Sequence, residues 1–291
     1  MCVCVCICVC VCVCACVCVY MCVCVCVCVC VCVYVCVCVC VCVCVSVCVC
    51  VCVCPQKLFV LLLFVPASLC SDLLLPVDCS DIQSHYPNKT SGVHTIFPGG
   101  PISPLQVYCD MDTDGGGWTI IQRRLDGSVN FYRPWDHYKM GFGNKDGEYW
   151  LGLDNMVLLT MRKKNELRVD MEDWERAKVY AQYISFSVDP ENLGYTLHLG
   201  SFINGGAEDG LSSHNGMKFS TLDRDQDLSE ANCARLHLGA FWYGNCYTTN
   251  PNGVYRWGAD STISGVGVAW NPFRGHDYSL KSISMKIRPK N

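Results

Sequence analysis

Catalytic signatures are what this 291-residue chain most plainly lacks. It has no Gly-x-Ser-x-Gly, no His-Glu-x-x-His and no phosphate-cradling glycine loop, so the common ways of presenting a nucleophile, a hydrolytic metal or a nucleotide are missing. Its seven histidines are scattered without metal-ligand spacing. No cluster of Lys and Arg stands out, and the formal net charge is −4, which argues against a nucleic-acid footprint. Collagen Gly-x-y repeats and coiled-coil heptads are absent, so nothing here builds a stalk. Arg-Gly-Asp is absent too, Arg274-Gly-His being the nearest tripeptide. A non-enzymatic binding protein is the expectation that survives.

Charge is also missing locally. Residues 1–54 carry none, and they hold 24 of the 29 cysteines in near-perfect Cys-Val alternation. All 48 charged residues therefore fall among the 237 positions 55–291, close to the roughly 25% charged content of an ordinary globular domain. Period-two alternation reads as strand, but some fifty residues far exceed the roughly 3–10 of real strands. Cys-x-Cys can bind soft metals, yet valine at nearly every second position supplies no turns to wrap an ion. A TG repeat read in frame encodes Cys-Val indefinitely, and Ala15, Tyr20, Met21 and Tyr34 each lie one base from it. The segment is expected to be a mispredicted gene start without function.

Lys57, the apolar run Leu58–Val65 and Pro66-Ala-Ser-Leu-Cys70 together read as a secretory signal peptide over residues 55–70. Eight apolar residues are far fewer than the roughly 20 needed to span a bilayer. Secretion implies an oxidising compartment for Cys79, Cys109, Cys233 and Cys246. Three connectivities are open, local pairing being the easiest closure. Cys70, if retained, is a candidate interchain bridge and so a route to a homo-oligomer. The one glycosylation sequon is Asn88-Lys89-Thr90, which implies an exposed loop.

Residues 71–291 alternate strand-like pieces with Gly, Asn and Asp turns. Leu105–Cys109, Trp118–Gln122 and Tyr195–Leu199 read as strands, and Ser282–Arg288 as a half-buried one. Short helices are expected near Asn155–Met161 and Ser229–Leu236, which gives an α+β domain whose second half is rich in loops. Two acidic loops bear on metal binding. Asp110-Met-Asp112-Thr-Asp114-Gly115 opens like an EF-hand but has Ile121 where a bidentate Glu is needed, so it reads as a polar hairpin turn. Asp223-Arg-Asp225-Gln-Asp227 is the better calcium candidate, because alternate carboxylates on a non-helical loop can converge on one centre.

Asp78-Cys79, Tyr108-Cys109-Asp-Met, Gly115-Gly-Gly-Trp-Thr119, Gly147-Glu-Tyr-Trp-Leu-Gly-Leu153, Lys218-Phe-Ser-Thr221, Asn232-Cys-Ala234 and Asn252-Gly-Val-Tyr255 occur in that order. The series resembles the fibrinogen C-terminal domain family over about residues 77–289. The resemblance implies an N-terminal subdomain with Cys79–Cys109, a central antiparallel sheet that receives the C-terminal strand, and a loop-rich distal subdomain with Cys233–Cys246. It implies Ca²⁺ held by the carboxylates of Asp225 and Asp227 and backbone carbonyls near Ser229 and Ala231, with Asp223 outside the first ring of ligands. It also implies a cis Asn245–Cys246 peptide and an acetyl-group pocket beside it, lined by His237, Asn245, Cys246, Tyr247 and Ile263. There the chain departs from the family pattern, since histidine and tyrosine are almost exchanged between positions 237 and 247 and Ile263 replaces a tyrosine. Trp242, Tyr243, Trp257 and Trp270 are expected in the core or a pocket wall. The functions implied are a secreted matrix glycoprotein that binds elastin, fibrillin or collagen or, alternatively, a soluble innate-immune lectin for acetylated glycans.

Overall fold

The computed structural model describes residues 75–290 continuously, together with five strands within residues 1–74. Residues 1–74 and 75–291 are separate units. In the first, the Cys-Val alternation is broken into antiparallel strands, the longest being Met21–Cys30 and Tyr34–Val43, paired Met21 to Val43. The expected signal peptide lies outside the described residues apart from the short strand Lys57–Leu58.

The second unit is built on one ten-stranded sheet whose pairings are all antiparallel. Strand Asn165–Glu172 alternates buried Asn165, Leu167, Val169 and Met171 with half-buried neighbours, the period of a strand with one face in the core. Its partner is the chain's last strand, Ser282–Pro289, in a register that sets Leu167 against Ile287, Val169 against Met285 and Met171 against Ile283. Such opposed apolar pairs are the unit of sheet stabilisation, and each fully buried side chain contributes about 1.5–3 kcal/mol. The terminal strand pairs on its other edge with Trp118–Arg124 and so lies inside the sheet, as the resemblance implied.

Helix Leu153–Arg162 buries Leu153, Met156, Val157 and Thr160, the spacing of one helical face, and Lys163 returns the chain to extended backbone. The expected helix at Ser229–Leu236 is shorter, Cys233–Leu236, because the Asn232 side chain accepts from the Arg235 amide and caps it there. Helix Cys79–His85 is capped by Asp78, which accepts from the Asp81 amide at 2.9 Å. Beyond residue 188 the strands are two to four residues long until the terminal one, which makes this half loop-rich, as expected.

One polar network fastens those loops to the sheet, and a second holds residues 125–129. Strand Trp118–Arg124 is buried along its whole length. From it the Gln122 amide nitrogen donates to Pro251 O at 3.0 Å, and Arg124 Nη1 donates to the carbonyls of Pro251 and Gly253 at 3.1 and 2.7 Å. Burial pushes the Arg124 guanidinium down to about 10, although the Glu148 charge opposes this, so it stays charged at neutral pH. Glu148 lies 3.7 Å from Arg124 Nε. Its Oε1 accepts from the amides of Leu125, Asp126 and Gly127, and its Oε2 from that of Val129.

The terminal strand is half-buried as expected, and Lys286 is the one polar residue in it that is buried. It is 4% exposed, with Nζ 2.6 Å from Asp110 and 2.8 Å from Asp170. Burial pushes the Asp110 carboxyl up, but the Lys286 ammonium and the Thr113 hydrogen bonds outweigh it and hold the group well below the usual carboxylate range. The Asp110–Gly115 stretch is therefore a turn tied to a lysine, and it joins strands paired Cys109 to Thr119.

Candidate functional site

Both bridges are formed, Cys79–Cys109 with Cα atoms 5.5 Å apart and Cys233–Cys246 at 5.6 Å, within the usual disulfide range. The second is the centre of the candidate site. The Asn245–Cys246 peptide is cis. Gly244 donates its amide to Cys246 O at 2.9 Å, and Gly244 O accepts from the Leu228 amide at 3.1 Å. The acidic loop and the bridge are therefore laced together by backbone.

Within that loop Asp227 Oδ1 accepts from the Ser229 amide and Oδ2 from the Cys233 amide, both at 2.9 Å. Asp225 Oδ1 accepts from the Asp227 amide at 3.2 Å, and Ser229 Oγ accepts from the Ala231 amide at 3.3 Å. Burial raises the Asp227 carboxyl above its ordinary value and the adjacent Asp225 adds to this, against the two amide hydrogen bonds. Among the described residues neither Asp225 nor Asp227 belongs to an ion pair. Two neighbouring carboxylates, with no cation of the chain paired to either among the described residues, fit a hard divalent ion. No group of three His, Cys, Asp or Glu side chains is assembled among the described residues, so such a site depends on carbonyl oxygens. Asp223 is occupied elsewhere, accepting from the Trp135 amide at 2.9 Å and the Thr221 hydroxyl at 2.7 Å.

On the other side of the bridge, the His237 and Tyr247 rings meet edge to face at 4.8 Å. Both reach the same acceptor. His237 Nδ1 lies 3.0 Å from Gly265 O, and the Tyr247 hydroxyl donates to it at 2.6 Å. A carbonyl only accepts, so His237 carries its proton on Nδ1 and leaves Nε2 as an acceptor. Burial lowers the His237 imidazole below its ordinary value despite the bond to Gly265, which keeps it neutral at pH 7. Gly265 has φ +68°, and a Cβ there would lie 2.8 Å from the Tyr247 hydroxyl, so the close approach requires glycine. Asn245 is exposed and Cys246 half-buried. Ile263 is 57% exposed, its carbonyl accepting from Arg256 Nη1 at 3.0 Å.

One organising residue carries no sequence signal. His214 is fully buried; its Nδ1 donates to Trp242 O at 2.7 Å and its Nε2 accepts from the amides of Thr248 and Thr249 at 3.1 and 3.2 Å. Burial pushes it down to about 4, although the Trp242 carbonyl favours the proton. Of the expected aromatic core, Trp242, Tyr243 and Trp270 are buried, whereas Trp257 is 80% exposed. Trp257 stacks on Trp174 and is otherwise in solvent, a placement not evident from hydrophobicity alone. Asn88 is exposed.

Comparison with known proteins gives a consistent answer. The family described as "Fibrinogen beta and gamma chains, C-terminal globular domain" matches residues 75–290. Microfibril-associated glycoprotein 4 of Homo sapiens is 51% identical over 218 residues, which cover 73% of this chain and 85% of that one. The Bos taurus protein of the same name is 50% identical over 223 residues, 75% of this chain and 87% of that one. Fibrinogen C domain-containing protein 1 of Homo sapiens is 51% identical over 206 residues, 69% of this chain and 44% of that one. Among solved structures, the fibrinogen-like globe domain of human ANGPTL2 superposes with TM-score 0.72 at 47% identity, over 74% of this chain and all of that one. On this agreement of sequence and architecture, the chain belongs to the fibrinogen C-terminal domain family.

Proposed function

We propose that the protein is a secreted, calcium-dependent binding glycoprotein of the extracellular matrix that holds fibre proteins such as elastin, fibrillin or collagen. Half-identity to glycoproteins named for their association with microfibrils supports the matrix assignment. The observation that carries the calcium dependence is the pair Asp225–Asp227, two carboxylates side by side with no cation partner among the described residues. Asp225 and Asp227 would hold the ion, completed by carbonyls near Ser229 and Ala231. The ion would supply charge neutralisation. The chain's own contribution is to orient Asp227 through the Ser229 and Cys233 amides and to pass that rigidity to the Cys233–Cys246 bridge. A surface ordered beforehand loses less conformational entropy when a partner binds. The test is a thermal melt of the secreted protein in millimolar calcium against excess EDTA, followed by capture on immobilised tropoelastin, fibrillin and collagen in both buffers. Equal melts and equal capture would refute the reading.

One observation favours an acetylated glycan as a further ligand. The neutral His237 offers Nε2 as an acceptor beside the cis peptide, which suits the N–H of an acetamido group. Elution from an N-acetylglucosamine resin by free acetamide-bearing sugar, but not by glucose, tests it.

A further inference from the structure

Trp257 is the most exposed of the chain's seven tryptophans, at 80%, and neither the acidic loop nor the His237–Tyr247 pair uses it. One face of its indole is stacked on Trp174, with ring centroids 4.5 Å apart and planes within 23°. Trp174 is fixed in turn. Its amide donates to the Tyr278 hydroxyl at 2.9 Å and its indole N–H to Ser279 O at 3.0 Å. The Tyr255 ring stands 6.3 Å from Trp174, and its hydroxyl lies 2.8 Å from Leu125 O and 2.7 Å from Lys281 O. A Cβ on Gly127 would come within 2.7 Å of that ring, so the loop that closes on Glu148 also backs Tyr255. These aromatic residues, with Leu125, Asp126, Arg256 and Lys281, line an open groove of about 530 Å³.

Scattered exposed apolar side chains are ordinary. A pinned stack at the edge of a groove is different, because it keeps a large flat apolar face ready for a ligand. The polar lining narrows the chemistry. Asp126 accepts from the Ser128 amide at 2.9 Å and belongs to no ion pair among the described residues, so it remains an acceptor. Lys281 shares its ammonium with Glu172, and Arg256 its guanidinium with Asp260. Donors and an acceptor of both signs flank the plate, and no strong field of one sign selects a cation or an anion. A polyproline segment offers carbonyls to Lys281 but no N–H or O–H to Asp126, whose carboxylate it would cover without a donor, a costly desolvation. A tetraalkylammonium has neither a donor for Asp126 nor an acceptor for Lys281.

A neutral pyranose ring meets every requirement. Its axial C–H face lies flat on an indole, and its hydroxyls both donate and accept, so they serve Asp126 and Lys281 at once. We propose that the Trp174–Trp257 stack is a binding platform for neutral, non-acetylated saccharides, separate from the pocket beside Cys246.

The test uses the full secreted chain with three probes that lack acetyl groups, cellohexaose, mannohexaose and a β-galactan hexamer, read by saturation-transfer NMR and tryptophan fluorescence. The expected result is binding of at least one hexasaccharide, weakened tenfold or more by Trp257→Ala, partly retained by Trp257→Phe and weakened severalfold by Asp126→Asn. Trp257 is mostly in solvent, so its variants should melt with the wild type. Failure of all three probes, undiminished binding by Trp257→Ala, or binding of a decaproline peptide in preference to every sugar would overturn the proposal. Because no probe carries an acetyl group, these outcomes are independent of the acetamide reading and of calcium capture by Asp225 and Asp227.

Discussion

The Asp227 carboxylate accepts a hydrogen bond from the backbone amide of Cys233 at 2.9 Å, so the acidic loop and the Cys233–Cys246 bridge share one atom-to-atom link. An ion bound by Asp225 and Asp227 would stabilise the native state by mass action, about 2.7 kcal/mol when calcium is a hundredfold above its dissociation constant. For a domain of this size that is roughly 5–10 °C in Tm. Wild type should lose that increment in EDTA. Asp225→Ala with Asp227→Ala should melt lower in calcium and show no response to chelator, as read by scanning calorimetry.

Glu148 presents a second case, a carboxylate at 0% exposure serving four amides and one guanidinium. Glu148→Gln puts an amide NH₂ among donors and leaves Arg124 buried without its counter-charge. Breaking a buried charge pair costs about 3–5 kcal/mol. Urea denaturation should register a loss of that order; a loss under 1 kcal/mol would show that water replaces the carboxylate.

Lys286→Met removes the ammonium between Asp110 and Asp170. The methionine fits the volume, but the two carboxylates then face each other. Stability at pH 7 should fall by about 3 kcal/mol or more, and part should return as the pH is lowered and Asp110 takes a proton. A melt insensitive to pH between 7 and 4 in this variant would contradict the pairing.

His214 gives the wild type its own pH dependence. Its folded value is pushed down to about 4 from an ordinary 6.5, so the native state resists a proton that the unfolded chain accepts. Stability attributable to this group is full above pH 6.5, declines as pH falls toward 4, and levels off below. The total is on the order of 3 kcal/mol. His214→Gln should flatten the slope between pH 6.5 and 4 in a series of chemical denaturations; an unchanged slope would assign it to other groups.

Asn88 stands in an exposed loop after helix Cys79–His85. Protein expressed through a secretory host should shift on a gel after treatment with peptide-N-glycosidase, and Asn88→Gln should abolish the shift. Because that loop packs little, the variant should keep the wild-type Tm.

Much of the architecture was legible in the sequence because it rests on local pattern. Period two in Ser282–Arg288 reports a face turned to the core, and the short helix expected near Asn155–Met161 lies within helix Leu153–Arg162. Ordered family motifs supplied the cysteine pairing, which spacing alone left open. What local pattern could not carry were contacts between distant residues. Lys286 looks solvated until Asp110, 176 positions away, is seen against it. Trp257 looks like core until it is seen stacked on Trp174 with the rest of its ring in solvent, and His214 is silent because its partners lie 34 and 35 positions downstream.

That last contact has a practical consequence. The two amides that follow Tyr247 are satisfied by one imidazole from outside the segment, and Trp242 O completes the set. Transplanting residues 243–249 onto another scaffold would carry the segment's outline without the peg it hangs from. A graft intended to reproduce it must import residue 214 as well.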